Sequence, residues 1–171
     1  MLFLQQHHLI MIQHQLLAGK RGVIFGALDE SSIAWHVATQ CVAEGAKITL
    51  TNAPVAMRFG TIQQLGEKLN AEVISADATS TEELTALFQK SVEILGGPLD
   101  FVLHSIGMSL NVRKGKTYTD INHEWMHKTL DISAMSFHRM MQVLYQTDSM
   151  ADGGSILALT YIAAQRVFPD Y

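Results

Sequence analysis

A single cysteine, Cys41, occurs in the 171 residues, which excludes a disulfide framework and fits a reducing cytoplasm. Its place on the apolar stripe of a helix marks it as a small core residue, not a nucleophile. Basic residues are also scarce: 12 Lys and Arg stand against 16 Asp and Glu, for a net charge of −4. They form no basic segment, so nothing points to nucleic acid. The opening stretch MLFLQQHHLIMIQHQ holds no Lys or Arg. Its apolar residues are too few and too interrupted by Gln and His for a membrane span or a signal peptide. At 48% hydrophobic and 16% charged, the chain can bury one sizeable core in one domain.

What is present is organised around Gly19 to Glu44. Gly22 to Phe25 is a short apolar run ending at Gly26, and from Ser32 the period turns helical. Ile33, Val37 and Cys41 recur four apart beside Ala34, Ala38 and Val42, and Gly45 closes the helix. A helix N-terminus carries free N–H groups and partial positive charge. The Gly26–Ser32 turn can therefore receive a pyrophosphate, with Ser32 as N-cap or phosphate donor. A tight βα connection alone would use the same glycine.

Further apolar runs mark strands at Lys47–Thr51, Glu72–Ser75, Leu99–Leu103 and Ser155–Thr160, the last after an Asp152-Gly153-Gly154 turn. Helices are expected around Phe59, Ile62, Leu65 and Leu69, and along Leu84, Leu87, Phe88, Val92 and Leu95. Another should run unbroken from about Asn122 to Tyr145, with Trp125, Thr129, Ser133, Phe137 and Met141 on one face. Ser80 and Glu83 form a capping box. This order predicts a doubly wound parallel α/β sheet, Rossmann-like, with strand order 3-2-1-4-5. No acid follows the second strand, where Asn52, Ala53 and Pro54 stand, and Arg58 leaves room for a 2′-phosphate.

His123-Glu124-Trp125-Met126-His127 is a literal H-E-x-x-H. No G-x-x-H follows it, and Trp125 lies about 200° around the helix from His123, so the pair faces away from the apolar stripe. No metal site is expected.

Four stretches carry a family resemblance. The form G-x5-S-[IV]-A from Gly26, His104-Ser105-Ile106-Gly107, Asp131-Ile132-Ser133, and the closing L-[TS]-Y-x-x-A-x-R-x-x-P-x-Y resemble the NADH-dependent enoyl-acyl-carrier-protein reductases of bacterial type II fatty-acid synthesis. These are a divergent branch of the short-chain dehydrogenase/reductases. The resemblance covers Leu16 to Tyr171, leaving residues 1–15 as a non-family extension and the domain incomplete at its C-terminus. It departs at His36, where that family usually has a glycine for close helix-to-strand packing.

The resemblance implies hydride transfer from NADH, with NADPH less favoured, to a trans-2-enoyl thioester on acyl carrier protein. It carries cofactor contacts to Gly26, Ser32, Ile33, Ala53, Asp77, Ala78 and Ile106, and a substrate contact to Ser109. Asp77 and Ala78 would meet the adenine, or merely lead into the next helix. Tyr171 would be the catalytic hydroxyl and Tyr161 would shape the acyl pocket or assist. The Lys that the family places seven residues after the second tyrosine lies beyond the last residue, so the chain as written is expected to be an inactive fragment. A homo-oligomer, a tetramer in the family, would form through the 122–145 helix. His104 reads as a satisfied histidine at a strand end, not a base. Two other functions stay open. One is a reductase of the superfamily acting on 3-oxoacyl or alcohol substrates, opposed by Gln165 at the Tyr-x-x-x-Lys position. The other is a cofactor-binding remnant without turnover.

Overall fold

The computed structural model describes residues 14–168. Most of the expected 1–15 extension, and Tyr171 with it, lies outside the described residues. Five strands, β1 (Arg21–Phe25), β2 (Lys47–Asn52), β3 (Glu72–Ser75), β4 (Leu99–His104) and β5 (Met150–Ala158), form one sheet in the order β3-β2-β1-β4-β5. Every neighbouring pair is parallel, so the strand order expected from the sequence is the one observed.

A parallel sheet is covered on both faces, and its central strands are apolar throughout instead of alternating. In β1, Val23 and Phe25 face one core, where they meet Leu84, Leu87 and Phe88 of α3 (Thr81–Leu95) and Met140, Val143 and Leu144 of α6 (Ser136–Gln146). Ile24 faces the other, with Leu50, Ala34, Trp35 and Ala38 of α1 (Ile33–Ala43) and Ile62 and Leu65 of α2 (Ile62–Leu69). Three layers result, with the strand C-termini on one open edge.

Several elements differ from the sequence reading. In α1 the sheet takes Ala34, Trp35 and Ala38, while Ile33 is left 63% exposed. His36 is exposed as well, so departing from glycine there disturbs no helix-to-strand contact. Phe59 stands outside α2 and is exposed. Ser80 Oγ accepts from Glu83 N–H, but the Glu83 carboxylate accepts from Asp77 N–H instead of completing the box on Ser80. β5 begins at Met150, not Ser155. Leu99 pairs with Met150 and Phe101 with Ser155, so Asp152-Gly153-Gly154 lie in a bulge inside the strand.

The expected long helix is interrupted. α5 (His123–Leu130) passes into a π-helical turn (Asp131–Met135) before α6. An α-helix advances about 100° per residue, so an unbroken one would carry Leu144 about 100° away from the line of Trp125. A π-turn accommodates one extra residue and takes up roughly that angle. The buried positions after it are Ser136, Met140, Val143 and Leu144, and Phe137 and Met141 are only partly covered.

Candidate functional site

In strand order 3-2-1-4-5 the chain leaves β1 toward one side and β4 toward the other, so a crevice opens between their C-terminal ends. The residues after these two strands touch there. Gly26 has φ +89°, and a Cβ on it would lie 1.9 Å from Ser105 O. The glycine is required twice over, by its left-handed backbone and by the approach of the β4 loop.

Beside it the turn into α1 holds itself together. Ser32 Oγ donates to Asp29 O at 2.8 Å and accepts from Leu28 N–H at 3.2 Å. It occupies the N-cap position but makes no side-chain bond to the helix it precedes. Its hydroxyl braces the turn that the sequence reads as a phosphate site. Trp35 N–H and His36 N–H both turn back to Ser32 O, which leaves the N–H groups of Ile33 and Ala34 as the open donors of this helix end. Asp29 is bonded within the turn: Ser31 donates to its Oδ1 from both Oγ and N–H, and these bonds hold the pKa of the Asp29 carboxyl below its usual value.

The neighbouring strand ends carry the adenosine-side candidates. Ala53 N–H is taken by Asn52 Oδ1, and Asn52 Nδ2 donates to Ala27 O at 3.0 Å. Asn52 therefore ties the end of β2 to the glycine turn, a part the sequence reading missed because it looked there only for an acid. After β3, Asp77 Oδ1 accepts from Thr79 N–H and Oγ, and Ala78 is buried beside it.

On the far side of β4 lies a cleft of about 810 Å3, lined by Ile106, Ser109, Ser133 and Tyr161 among others. Three of the sequence candidates, Ile106, Ser109 and Tyr161, share its lining, with Tyr161 half-exposed and its ring 5.5 Å from Phe168. Ser109 Oγ faces Val112 N–H as N-cap of α4 (Leu110–Arg113). A second hollow, of about 350 Å3 between α2 and β3, contains none of the strand-end candidates.

His104 closes β4 and is 1% exposed. Its Nε2 lies 2.8 Å from Ser136 Oγ, and Ser136 Oγ donates to Ile132 O. Since that hydroxyl has one proton, His104 Nε2–H is the donor of the pair. Burial pushes the ring's pKa below its ordinary value, so it is neutral and satisfied. Burial likewise pushes the Cys41 thiol up, away from the thiolate a nucleophile needs. His123 and His127 are exposed on α5, and the described residues bring no third metal-ligating side chain to them.

The sequence profile of the enoyl-(acyl carrier protein) reductase family matches residues 26–171. The chain belongs to this family. A relative, enoyl-[acyl-carrier-protein] reductase [NADH] 1 of Rhizobium meliloti (strain 1021), is 37% identical over 158 residues, covering 91% of this chain and 56% of its own length. The crystal structure of FabI from Alistipes finegoldii is 57% identical with a TM-score of 0.89, over 92% of this chain and 60% of that one. The FabI–NADH complex from the same organism is 58% identical with a TM-score of 0.87, over 90% of this chain and 54% of that one. The chain thus spans about 56% of the curated relative's length.

Proposed function

We propose that this chain supplies the cofactor-binding part of an NADH-dependent enoyl-[acyl-carrier-protein] reductase, acting in fatty-acid elongation on trans-2-enoyl thioesters held by acyl carrier protein. The observation that carries the reading is the meeting of Gly26 with Ser105, which joins the open N-terminus of α1 to the largely apolar cleft along one crevice. When bound, the dinucleotide supplies a hydride from nicotinamide C4 to the β-carbon of the thioester.

The protein's residues bind and orient. Ile33 and Ala34 N–H receive the pyrophosphate, with Gly26 giving it room and Ser32 holding the turn. Ala53, Asp77 and Ala78 border the adenosine half, Ile106 the nicotinamide ribose and Ser109 the acyl chain. Negative charge develops on the thioester oxygen during reduction, and the Tyr171 hydroxyl donates to it while Tyr161 shapes the pocket. NADH is preferred because Arg58 is exposed beyond β2 and, among the residues 53–58 that follow that strand, it is the one cation. Met126, Leu130, Met135 and Tyr145 are exposed along residues 123–146, which supports a homo-oligomer, a tetramer, through that face. A bacterial, cytoplasmic setting goes with the same reading.

The test is titration of the purified chain with NADH and with NADPH, followed by nicotinamide fluorescence. NADH should bind more tightly. Tighter NADPH binding, abolished by Arg58→Ala, would overturn the cofactor preference, and binding of neither would overturn the reading as a whole.

A further inference from the structure

The loop that follows β4 is held from outside the sheet. Ser133 Oγ accepts from Met108 N–H at 2.9 Å and donates to Met108 O at 3.1 Å. One hydroxyl thus satisfies both backbone groups of a single loop residue, a pairing normally left to another peptide unit. The carrier of that hydroxyl is the π-helical turn at Asp131–Met135. π-turns are rare and persist where something else stabilises them.

Two contacts do so here. Ser136 Oγ donates to Ile132 O at 2.6 Å and takes His104 Nε2–H at 2.8 Å, tying the end of the turn to the end of β4. Arg139 Nη2 reaches back across the turn to Asp131 Oδ1 at 2.6 Å. The His104 ring is wedged between Phe25 and Phe137, with centroids 6.4 and 5.4 Å away. β4, the π-turn and the loop therefore form a closed frame, with Ser133 as its link to the loop. Between them, His104 and Met108 bound the stretch that contains Ser105 and Ile106.

We infer that Ser133 is a positioning residue, whose paired hydrogen bonds to Met108 fix the 105–109 loop so that Ile106 and Ser109 keep their places in the cleft. The placement of the loop rests on the geometry alone, while its consequence for ligands rests on the function proposed above.

The first measurement is amide hydrogen exchange in the full chain. Met108 N–H should exchange on the order of tenfold faster in Ser133→Ala, because two hydrogen bonds of ordinary strength are lost there. Amides of β1 and α3 should be unchanged, and Ser133→Thr, which keeps the hydroxyl, should return Met108 to near the parent rate. The second measurement is NADH affinity, which should weaken several-fold in Ser133→Ala with a thermal midpoint close to the parent's. Unchanged Met108 exchange in Ser133→Ala overturns the inference. So does acceleration spread equally through α5 and α6 with a lowered midpoint, which would mark a merely structural role. If the parent chain binds no NADH, the cofactor reading fails, and Met108 exchange still decides the position of the loop.

Discussion

Replacing Gly26 with alanine tests the junction of β1 and β4 directly. At φ +89° the alanine sits in the left-handed region, which costs about 1–2 kcal/mol for a residue with a Cβ. That Cβ would stand 1.9 Å from the Ser105 carbonyl oxygen, against the 3.0 Å below which real contacts are essentially never seen. The obstacle is backbone, so β1 and the β4 loop must part by about 1 Å in a sheet packed as densely as a crystal. Overpacking of that kind typically adds about 1–3 kcal/mol. The sum, roughly 2–5 kcal/mol, is a large part of the 5–15 kcal/mol that holds an ordinary domain together. Gly153→Ala is the control, since that glycine also has a positive φ, +73°, but nothing lies within 4 Å of the point a Cβ would occupy; it should lose only the backbone part, about 1–2 kcal/mol. Urea unfolding of the two variants, with NADH titration alongside, makes the comparison. Gly26→Ala should be clearly the less stable and should lose NADH binding, because Ser105 and Ile106 move with the loop. Equal stability of the two variants, with NADH binding retained in Gly26→Ala, would refute the close approach as the reason for the glycine.

Two further outcomes follow from the buried and the exposed histidines. Because burial lowers the His104 pKa from its ordinary 6.5, the unfolded chain binds that proton more readily than the folded one. Stability from this group is therefore complete above about pH 6.5 and falls as pH drops toward the folded value, by at most about 1.4 kcal/mol per pH unit. Urea unfolding between about pH 7 and 5.5 should show this slope, and His104→Gln should flatten it; an unchanged slope in the variant would mean that another group titrates. For His123 and His127, chelator-free protein should contain no stoichiometric zinc by elemental analysis, since a site needs more than two exposed imidazoles. Stoichiometric zinc that disappears in His127→Ala would contradict this.

Strand order, and the positions of the first four strands to within a residue, were legible because they depend on local pattern. The Gly22–Phe25, Lys47–Thr51 and Glu72–Ser75 runs are apolar over a few residues and bounded by turn residues, and strands alternating with helices admit few arrangements. The glycine turn was legible for the same reason, and the tyrosine and HSIG stretches through their resemblance to the family. Side-chain direction was less so. Ile33 and Trp35 are both large and apolar, and only the position of the sheet decides that Trp35 is buried and Ile33 exposed. The spacing of Trp125, Thr129, Ser133 and Phe137 read as one straight helix because a π-turn leaves no mark in hydrophobic periodicity; the hydroxyls that accompany it bond to residues far away in the chain. Asn52 looked like a missing acid until its amide was seen to join β2 to the glycine turn. The sequence by itself determined the fold and the glycine turn, since period and turn chemistry act over a few residues. Only the tertiary structure decided that Gly26 must yield to Ser105 and that Ser133 holds Met108, because steric exclusion and hydrogen bonding act between atoms that the fold brings together from distant parts of the chain.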